Sequence, residues 1–91
     1  MIGYRSEQGR VAAYDGERRV GVCSYREEGG LWIADHTEVD PAYGGQGIAG
    51  KLVLLLAEEA RKKGIRIIPE CSYVRRAFSK DPEAFRDVMG E

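Results

Sequence analysis

The feature that most constrains this fold is a strand, a glycine-rich turn and a helix that follow one another between residues 31 and 63. The strand is predicted over LWIADHTEV, residues 31–39. The helix is predicted from about Gly47 to Lys63, and its apolar face consists of Ile48, Leu52, Leu55, Leu56 and Ala60. A second, buried strand is predicted over IRIIP, residues 65–69. Two strands joined by a crossover helix lie parallel in one sheet.

The segments on either side extend this unit into a mixed sheet. Two shorter strands are predicted at residues 10–14 and 20–27, separated by the turn DGERR, and they form an antiparallel meander with the strand at 31–39. After the last strand, SYVRRAFSK is predicted to be a short helix, and Asp81-Pro82 begins another. The predicted order is therefore β-β-β-α-β-α-α, an α/β fold with residues 1–91 in a single domain.

The composition is that of an ordinary soluble domain. Of the 91 residues, 43% are apolar and 32% are charged, and the net charge is -1. Nucleic-acid-binding proteins normally carry a surplus of Lys and Arg, so no nucleic-acid partner is expected. The longest apolar run, Leu52–Ala57, is too short to span a membrane, and the N-terminus is polar; we expect a cytoplasmic protein without membrane contact. Cys23 and Cys71 are then expected to be reduced thiols, and no metal-ligand spacing occurs.

The glycines of the turn predict an anion site, because glycine allows backbone amides to approach a ligand and a helix N-terminus adds unpaired N–H groups. Two phosphate-binding patterns match in part. Gly45–Gly50 spells G-x-G-x-x-G, with Glu70 near the position of a ribose-binding acid, but three strands precede it where a dinucleotide domain has none. Gly45–Lys51 spells G-x-x-x-x-G-K, but Leu52 replaces the hydroxyl that would hold magnesium.

A third pattern agrees with the order of elements. The segment VDPAYGGQGIAGKLV resembles the acyl-coenzyme A loop of the GCN5-related N-acetyltransferases, Q/R-x-x-G-x-G/A preceded by V-x-P. Gly44 stands where that family prefers Gln or Arg. The motifs HTEV at 36–39 and Cys71-Ser72-Tyr73 further resemble a very small single-domain subgroup of the family. The resemblance covers roughly residues 10 to 80.

This resemblance implies a compact acetyltransferase-like fold, with the acyl-CoA loop at the strand-to-helix junction. It implies acetyl-CoA as the acyl donor and a primary amine as the acceptor, either a small molecule or a protein lysine or N-terminus, in a monomer or a homodimer. The alternative is a coenzyme A-binding module without turnover. The residues expected to contact the coenzyme are Val39, Gly44, Gly45, Gln46, Gly47, Ile48, Ala49, Gly50, Lys51, Tyr73, Ser79 and Lys80.

Three residues are candidates for the chemistry. Strand alternation predicts that His36 and Glu38 lie on one face together with Trp32 and Ala34, and either His36 or Glu38 could take the proton of the amine. Cys71 precedes a predicted helix, where a thiol tends toward the thiolate, and it could accept the acetyl group transiently or protonate the leaving thiolate. Direct and two-step transfer both remain open at this point. Many family members place a tyrosine acid where this chain has Phe78.

Overall fold

One five-stranded mixed sheet, with its strands side by side in chain order, forms the centre of the structure, a computed structural model that describes residues 1–90. The first four strands are antiparallel to one another in sequence, and the fifth is parallel to the fourth. The strands are β1 (Ile2–Glu7), β2 (Arg10–Asp15), β3 (Arg18–Glu28), β4 (Leu31–Val39) and β5 (Arg66–Pro69). The predicted parallel pair is thus confirmed.

Three α-helices follow the predicted order. They are α1 (Ile48–Lys63), α2 (Ser72–Lys80) and the short α3 (Pro82–Phe85), with single 3-10 turns at Pro41–Tyr43 and Arg86–Val88. Gly64 ends α1 in the left-handed conformation, and its N–H donates to carbonyls of the last turn. No helix within residues 1–90 is both long and apolar enough to cross a lipid bilayer.

The sequence analysis did not predict β1. Its six residues, IGYRSE, alternate between partly buried and exposed positions, and none of them is fully buried. Because β1 is the edge strand and pairs only with β2, it needs no continuous apolar pattern. The observed order is β-β-β-β-α-β-α-α, which contains every predicted element and adds this one strand.

The core lies between the sheet and α1, and α2, α3 and the last 3-10 turn close it on one side. The buried face of α1 includes the predicted residues except Leu55, which is only partly buried, and adds Val53 and Ala57. The buried residues of this helix are Ile48, Leu52, Val53, Leu56, Ala57 and Ala60. At about 25 cal/mol per Å² of apolar surface, this face contributes much of the stability of the fold.

A β-bulge in β4 changes which side chains share a face. Ala34 pairs with Tyr25 and His36 pairs with Ser24, so Asp35 is an extra residue on β4. Beyond the bulge, the alternation of side chains between the two faces of β4 is reversed. Thr37, which pairs with the buried Cys23, therefore lies on the core face.

The predicted grouping of Trp32 and Ala34 with His36 and Glu38 is therefore wrong. Trp32 and Ala34 belong to the core, whereas the side chains of His36 and Glu38 are 60% and 72% exposed. These two residues lie on the opposite face of the sheet, which α1 does not cover. Period-2 counting failed here because it assumes a regular strand.

Gly21 of β3 allows α1 to approach the sheet closely. A Cβ at this position would lie 3.1 Å from Ile48 Cγ2 and 3.2 Å from Leu52 Cδ1. Replacement by valine should therefore overpack a full core, and we expect Gly21→Val to lower the free energy of unfolding by about 1–3 kcal/mol in urea denaturation.

The matched control is Gly3→Val in β1, where a Cβ would meet no atom within 4 Å. This variant should change the free energy of unfolding by less than about 0.5 kcal/mol. Equal losses in the two variants would contradict the close approach of α1 to β3.

Candidate active site

A cleft opens where β4 and β5 stop pairing. The parallel ladder runs from Leu31, opposite Arg66, to Ala34, opposite Pro69. One further hydrogen bond closes it, from the Cys71 N–H to the Ala34 carbonyl oxygen at 2.7 Å. Beyond this point β4 continues to Val39 while the other chain turns into α2, so residues 35–39 of β4 have no strand on that side.

Cys71 lies at the inner end of this cleft, as the N-cap residue of α2. Its thiol is 3.4 Å from Thr37 Oγ1. Burial raises the pKa of Cys71, but hydrogen bonding by Thr37 and by the backbone amides of Val74 and Tyr73 outweighs burial and lowers the pKa below its ordinary value of 9.0. The thiol is only partly buried, so a ligand in the cleft can reach it. Partial exposure and a lowered pKa make Cys71 a candidate for a nucleophile.

Cys23 has the opposite character. It is completely buried in the core, and burial raises its pKa to about 11. Its sulfur accepts a hydrogen bond from the hydroxyl of Thr37, with Oγ1 at 3.5 Å. Within residues 1–90 both cysteines are free thiols, as predicted.

His36 and Glu38 form a contact pair on the other face of β4. His36 Nε2 and Glu38 Oε1 are 3.1 Å apart. The predicted proximity of these two residues is therefore confirmed, but they do not share the face of Thr37, which contacts Cys71. The thiol and the histidine–glutamate pair therefore lie on opposite faces of the sheet.

The glycine loop is built by a turn that the preceding residues stabilise. Asp40 caps the 3-10 turn through its carboxylate, which accepts from Ala42 N at 2.9 Å and from Arg18 at 2.7 Å. Gly45 and Gly47 follow with φ of 78° and 74°, in the left-handed region. Gly47 is the N-cap of α1 and provides no side-chain cap, so the first amides of the helix can serve a ligand.

A cavity of about 240 Å³ lies against this loop. Most of the residues predicted to contact a coenzyme line it. The lining residues are Val39, Tyr43, Gly44, Gly45, Gly47, Ile48, Ala49, Gly50 and Tyr73. The predicted contacts Gln46, Lys51 and Ser79 do not line it, and the Lys51 ammonium lies instead 6.0 Å from the ring of Tyr4.

A second cavity, of about 390 Å³, continues from the first between α1 and α2. The two cavities share Gly50 and Tyr73, and a Cβ on Gly50 would lie 3.8 Å from the Tyr73 hydroxyl. The predicted Lys80 lines this second cavity, together with Arg76. Its apolar wall includes the 55% exposed Leu54. Together the cavities form a groove with backbone amides at one end and, at the other, the cationic side chains of Arg76 and Lys80 beside the carboxylate of Asp81.

Three residues of this region were not predicted from the sequence as part of the site. Tyr43 lies in the loop motif but carries no charge or nucleophile, and its hydroxyl donates to Asp15 at 2.6 Å. Arg76 belongs to no motif, and only the packing of α2 brings it to the groove. Regular strand alternation would put Thr37 and Ala34 on opposite faces of β4, whereas the bulge puts both on the core face. Its position beside the two cysteines follows from the bulge, which the sequence pattern does not indicate.

Known proteins resemble this chain in sequence and in structure. The model of the GCN5-related N-acetyltransferase family matches residues 10–88. The solution structure of a GCN5-like protein from Staphylococcus aureus has 27% identity and a TM-score of 0.76, over 96% of this chain and 86% of that one. No curated protein matches the chain.

Two crystal structures from Brucella melitensis are also similar. A ribosomal-protein-alanine N-acetyltransferase has 22% identity and a TM-score of 0.59 over 78% of this chain, a likeness of fold alone. A GNAT family acetyltransferase in complex with acetyl-CoA has 25% identity and a TM-score of 0.58 over 74% of this chain. The chain spans only 58% and 49% of these two proteins.

The two thiols should differ sharply in reactivity. At pH 9.0, iodoacetamide should alkylate Cys71, whose thiol is partly exposed and has a lowered pKa, and should spare the buried Cys23, whose pKa burial raises to about 11. Mass spectrometry of the tryptic fragments 67–75 and 20–26 separates the two sites. Denatured protein is the control and should be modified at both. Equal modification of both thiols in the folded protein would contradict the assigned environments.

Proposed function

The chain belongs to the GCN5-related N-acetyltransferase family, and we propose that it transfers an acetyl group from acetyl-CoA to a primary amine. One observation carries the proposal: the cavity at the glycine loop before α1 lies beside the point where β4 continues past the end of β5, and the partly buried thiol of Cys71 lies at that strand end. The acetyl-CoA complex of the Brucella relative supports the choice of donor.

The groove suits the three parts of coenzyme A. The pyrophosphate would bind the amides at the start of α1, where the helix dipole also favours an anion. The pantetheine arm would run along the unpaired edge of β4 and bring the thioester to Cys71. The adenosine and its phosphate would follow the cavity between α1 and α2, where Arg76 and Lys80 are the charge partners.

Transfer would proceed in two steps at Cys71. The thiolate attacks the thioester carbonyl, so an acetyl–sulfur bond forms on Cys71 and coenzyme A leaves as its thiolate. The neutral amine then attacks acetyl-Cys71: a carbon–nitrogen bond forms, the carbon–sulfur bond to Cys71 breaks, and the proton that the nitrogen loses passes to the departing sulfur or to water. The partly buried Cys71 thiol at the start of α2, with its lowered pKa, is the nucleophile that this route requires. Phe78 is buried against Phe85, with ring centroids 4.8 Å apart, so it forms part of the core.

The amine would approach from the open face of the sheet. His36 and Glu38 are exposed there, at the edge of β4 opposite the side of Cys71. When Glu38 accepts a hydrogen bond from Nε2–H of His36, Nδ1 is left free to accept a proton from the incoming ammonium group. The acceptor would thus lie on one side of β4 and the acetyl donor on the other, and they would meet at the free edge of the strand.

Single substitutions distinguish an enzyme from a coenzyme A-binding module without turnover. We expect Cys71→Ala to abolish acetyl transfer and His36→Asn to lower kcat about 100-fold or more, the usual contribution of a general base. Neither change removes a groove contact, so the affinity for acetyl-CoA in calorimetry should change less than about twofold.

The control variant is Glu83→Gln, because Glu83 of α3 is 79% exposed and its one ion pair within residues 1–90 is with Arg86. It should leave both turnover and affinity unchanged. Binding of acetyl-CoA by the wild-type protein without transfer to any amine of a broad panel would favour the module and contradict the proposed enzyme.

The glycine loop can be tested with two glycines that share a conformation. Gly47 and Gly16 both have left-handed φ, 74° and 66°, and a Cβ would meet no atom within 4 Å at either position. Replacement by alanine should therefore cost about 1–2 kcal/mol of stability in both cases. Only Gly47→Ala should also weaken binding of acetyl-CoA, by roughly tenfold, because its Cβ enters the amide cradle. Equal affinities in both variants would exclude this loop as the phosphate site.

A further inference from the structure

The Thr37 hydroxyl lies between the two thiols of the protein. Its Oγ1 atom is 3.4 Å from the sulfur of Cys71 and 3.5 Å from the sulfur of Cys23. The bulge at Asp35 produces this arrangement, since it turns Thr37 to the core face, directly opposite Cys23 on β3. The three polar atoms thus form a line from the completely buried core to the partly exposed end of the cleft.

The hydrogen atoms of this line can be counted. A hydroxyl has one proton to donate, and each neutral thiol has one. While Cys71 is a thiol, it donates to Thr37, and Thr37 donates to Cys23. When Cys71 loses its proton, its sulfur becomes an acceptor only. The line must then reverse: Cys23 S–H donates to Thr37, and Thr37 O–H donates to the Cys71 thiolate.

This reversal requires Cys23 to keep its proton while Cys71 ionises. Burial raises the pKa of Cys23 to about 11, whereas the pKa of Cys71 lies below 9.0, so there is a pH range in which only Cys71 is ionised. A hydrogen bond to a charged sulfur is stronger than one to a neutral thiol. Ionisation of Cys71 therefore strengthens the line and does not break it.

The geometry points to Thr37 as a positioning residue, and to Cys23 as the buried donor of a hydrogen-bond relay, which together stabilise Cys71 as a thiolate at the start of α2. The consequence for turnover rests on the proposed function, but the ionisation of Cys71 does not. Other charged groups near the relay are Asp35 on β4 and, beside the helix start, Glu70 with its partner Arg26.

The experiment measures the pKa of Cys71 without any coenzyme. The rate of alkylation of fragment 67–75 by iodoacetamide is followed against pH for four proteins: wild type, Thr37→Val, Thr37→Ser and Cys23→Ala. Thr37→Val removes the hydroxyl at nearly constant shape and should raise the pKa of Cys71 by about one unit. Thr37→Ser keeps the hydroxyl and should restore the wild-type value. Cys23→Ala removes only the donor behind Thr37 and should give a smaller rise, roughly half a unit.

A Thr37→Val profile equal to that of wild type, or a Thr37→Ser profile equal to that of Thr37→Val, would overturn the relay. Thermal unfolding verifies that each variant is folded, and Thr37→Ala is the second hydroxyl-free variant if valine is not accepted at this position. Acetyl transfer is measured separately on the same proteins. If the wild-type protein transfers no acetyl group but the variants show the expected pKa shifts, the proposed enzyme is refuted and the relay stands. If the wild-type protein is active but the variants show no shifts, the relay is refuted and the proposed enzyme stands.

Discussion

The hydrogen bond from the Cys71 N–H to the Ala34 carbonyl oxygen marks the point on which the rest of the structure depends. It is the last backbone contact between the two parallel strands. Pro69 precedes it and has no N–H to extend the ladder, and α2 begins immediately after it. The same few residues therefore end the sheet on one side, open the cleft and place a thiol at a helix N-terminus. In this short chain a single strand end serves structure and proposed chemistry together.

The bulge at Asp35 is the second constraint, because it decides what faces the cleft. A regular strand would carry His36 and Glu38 into the core beside Trp32. The extra residue turns them outward and turns Thr37 inward to the thiols. The protein thereby avoids burying two ionisable side chains and gains a polar atom between two sulfurs. The proposed placement of the acetyl donor and the amine acceptor on opposite sides of β4 follows from this one extra residue.

The parts predicted from sequence are those with a local cause. The helix from Ile48 to Lys63 follows from apolar spacing and a glycine end, and the loop before it follows from Gly45 and Gly47, which adopt the left-handed backbone that glycine permits. The parallel pair follows from chain order and handedness. The resemblance to the acetyltransferase family then supplied the expected ligand.

The features that were not predicted depend on contacts between residues far apart in the sequence. The edge strand β1 is polar and pairs on one side only, so its pattern resembles a loop. Nothing in the residues DHTEV identifies Asp35 as the bulge, because polar side chains occupy both faces there. Arg76 reaches the groove only through the packing of α2 beside α1. Lys51, four residues after Gly47, points instead to the ring of Tyr4.

The most direct test of the account is an NMR titration of the ¹⁵N-labelled protein with acetyl-CoA, with NADH and ATP as controls. The account predicts that acetyl-CoA alone shifts the backbone amides of Gly45–Gly50 and, at the inner end of the cleft, those of Thr37 and Cys71. Unchanged amide signals at these positions, or larger shifts with NADH, would contradict the claim that this loop and cleft hold an acetyl donor.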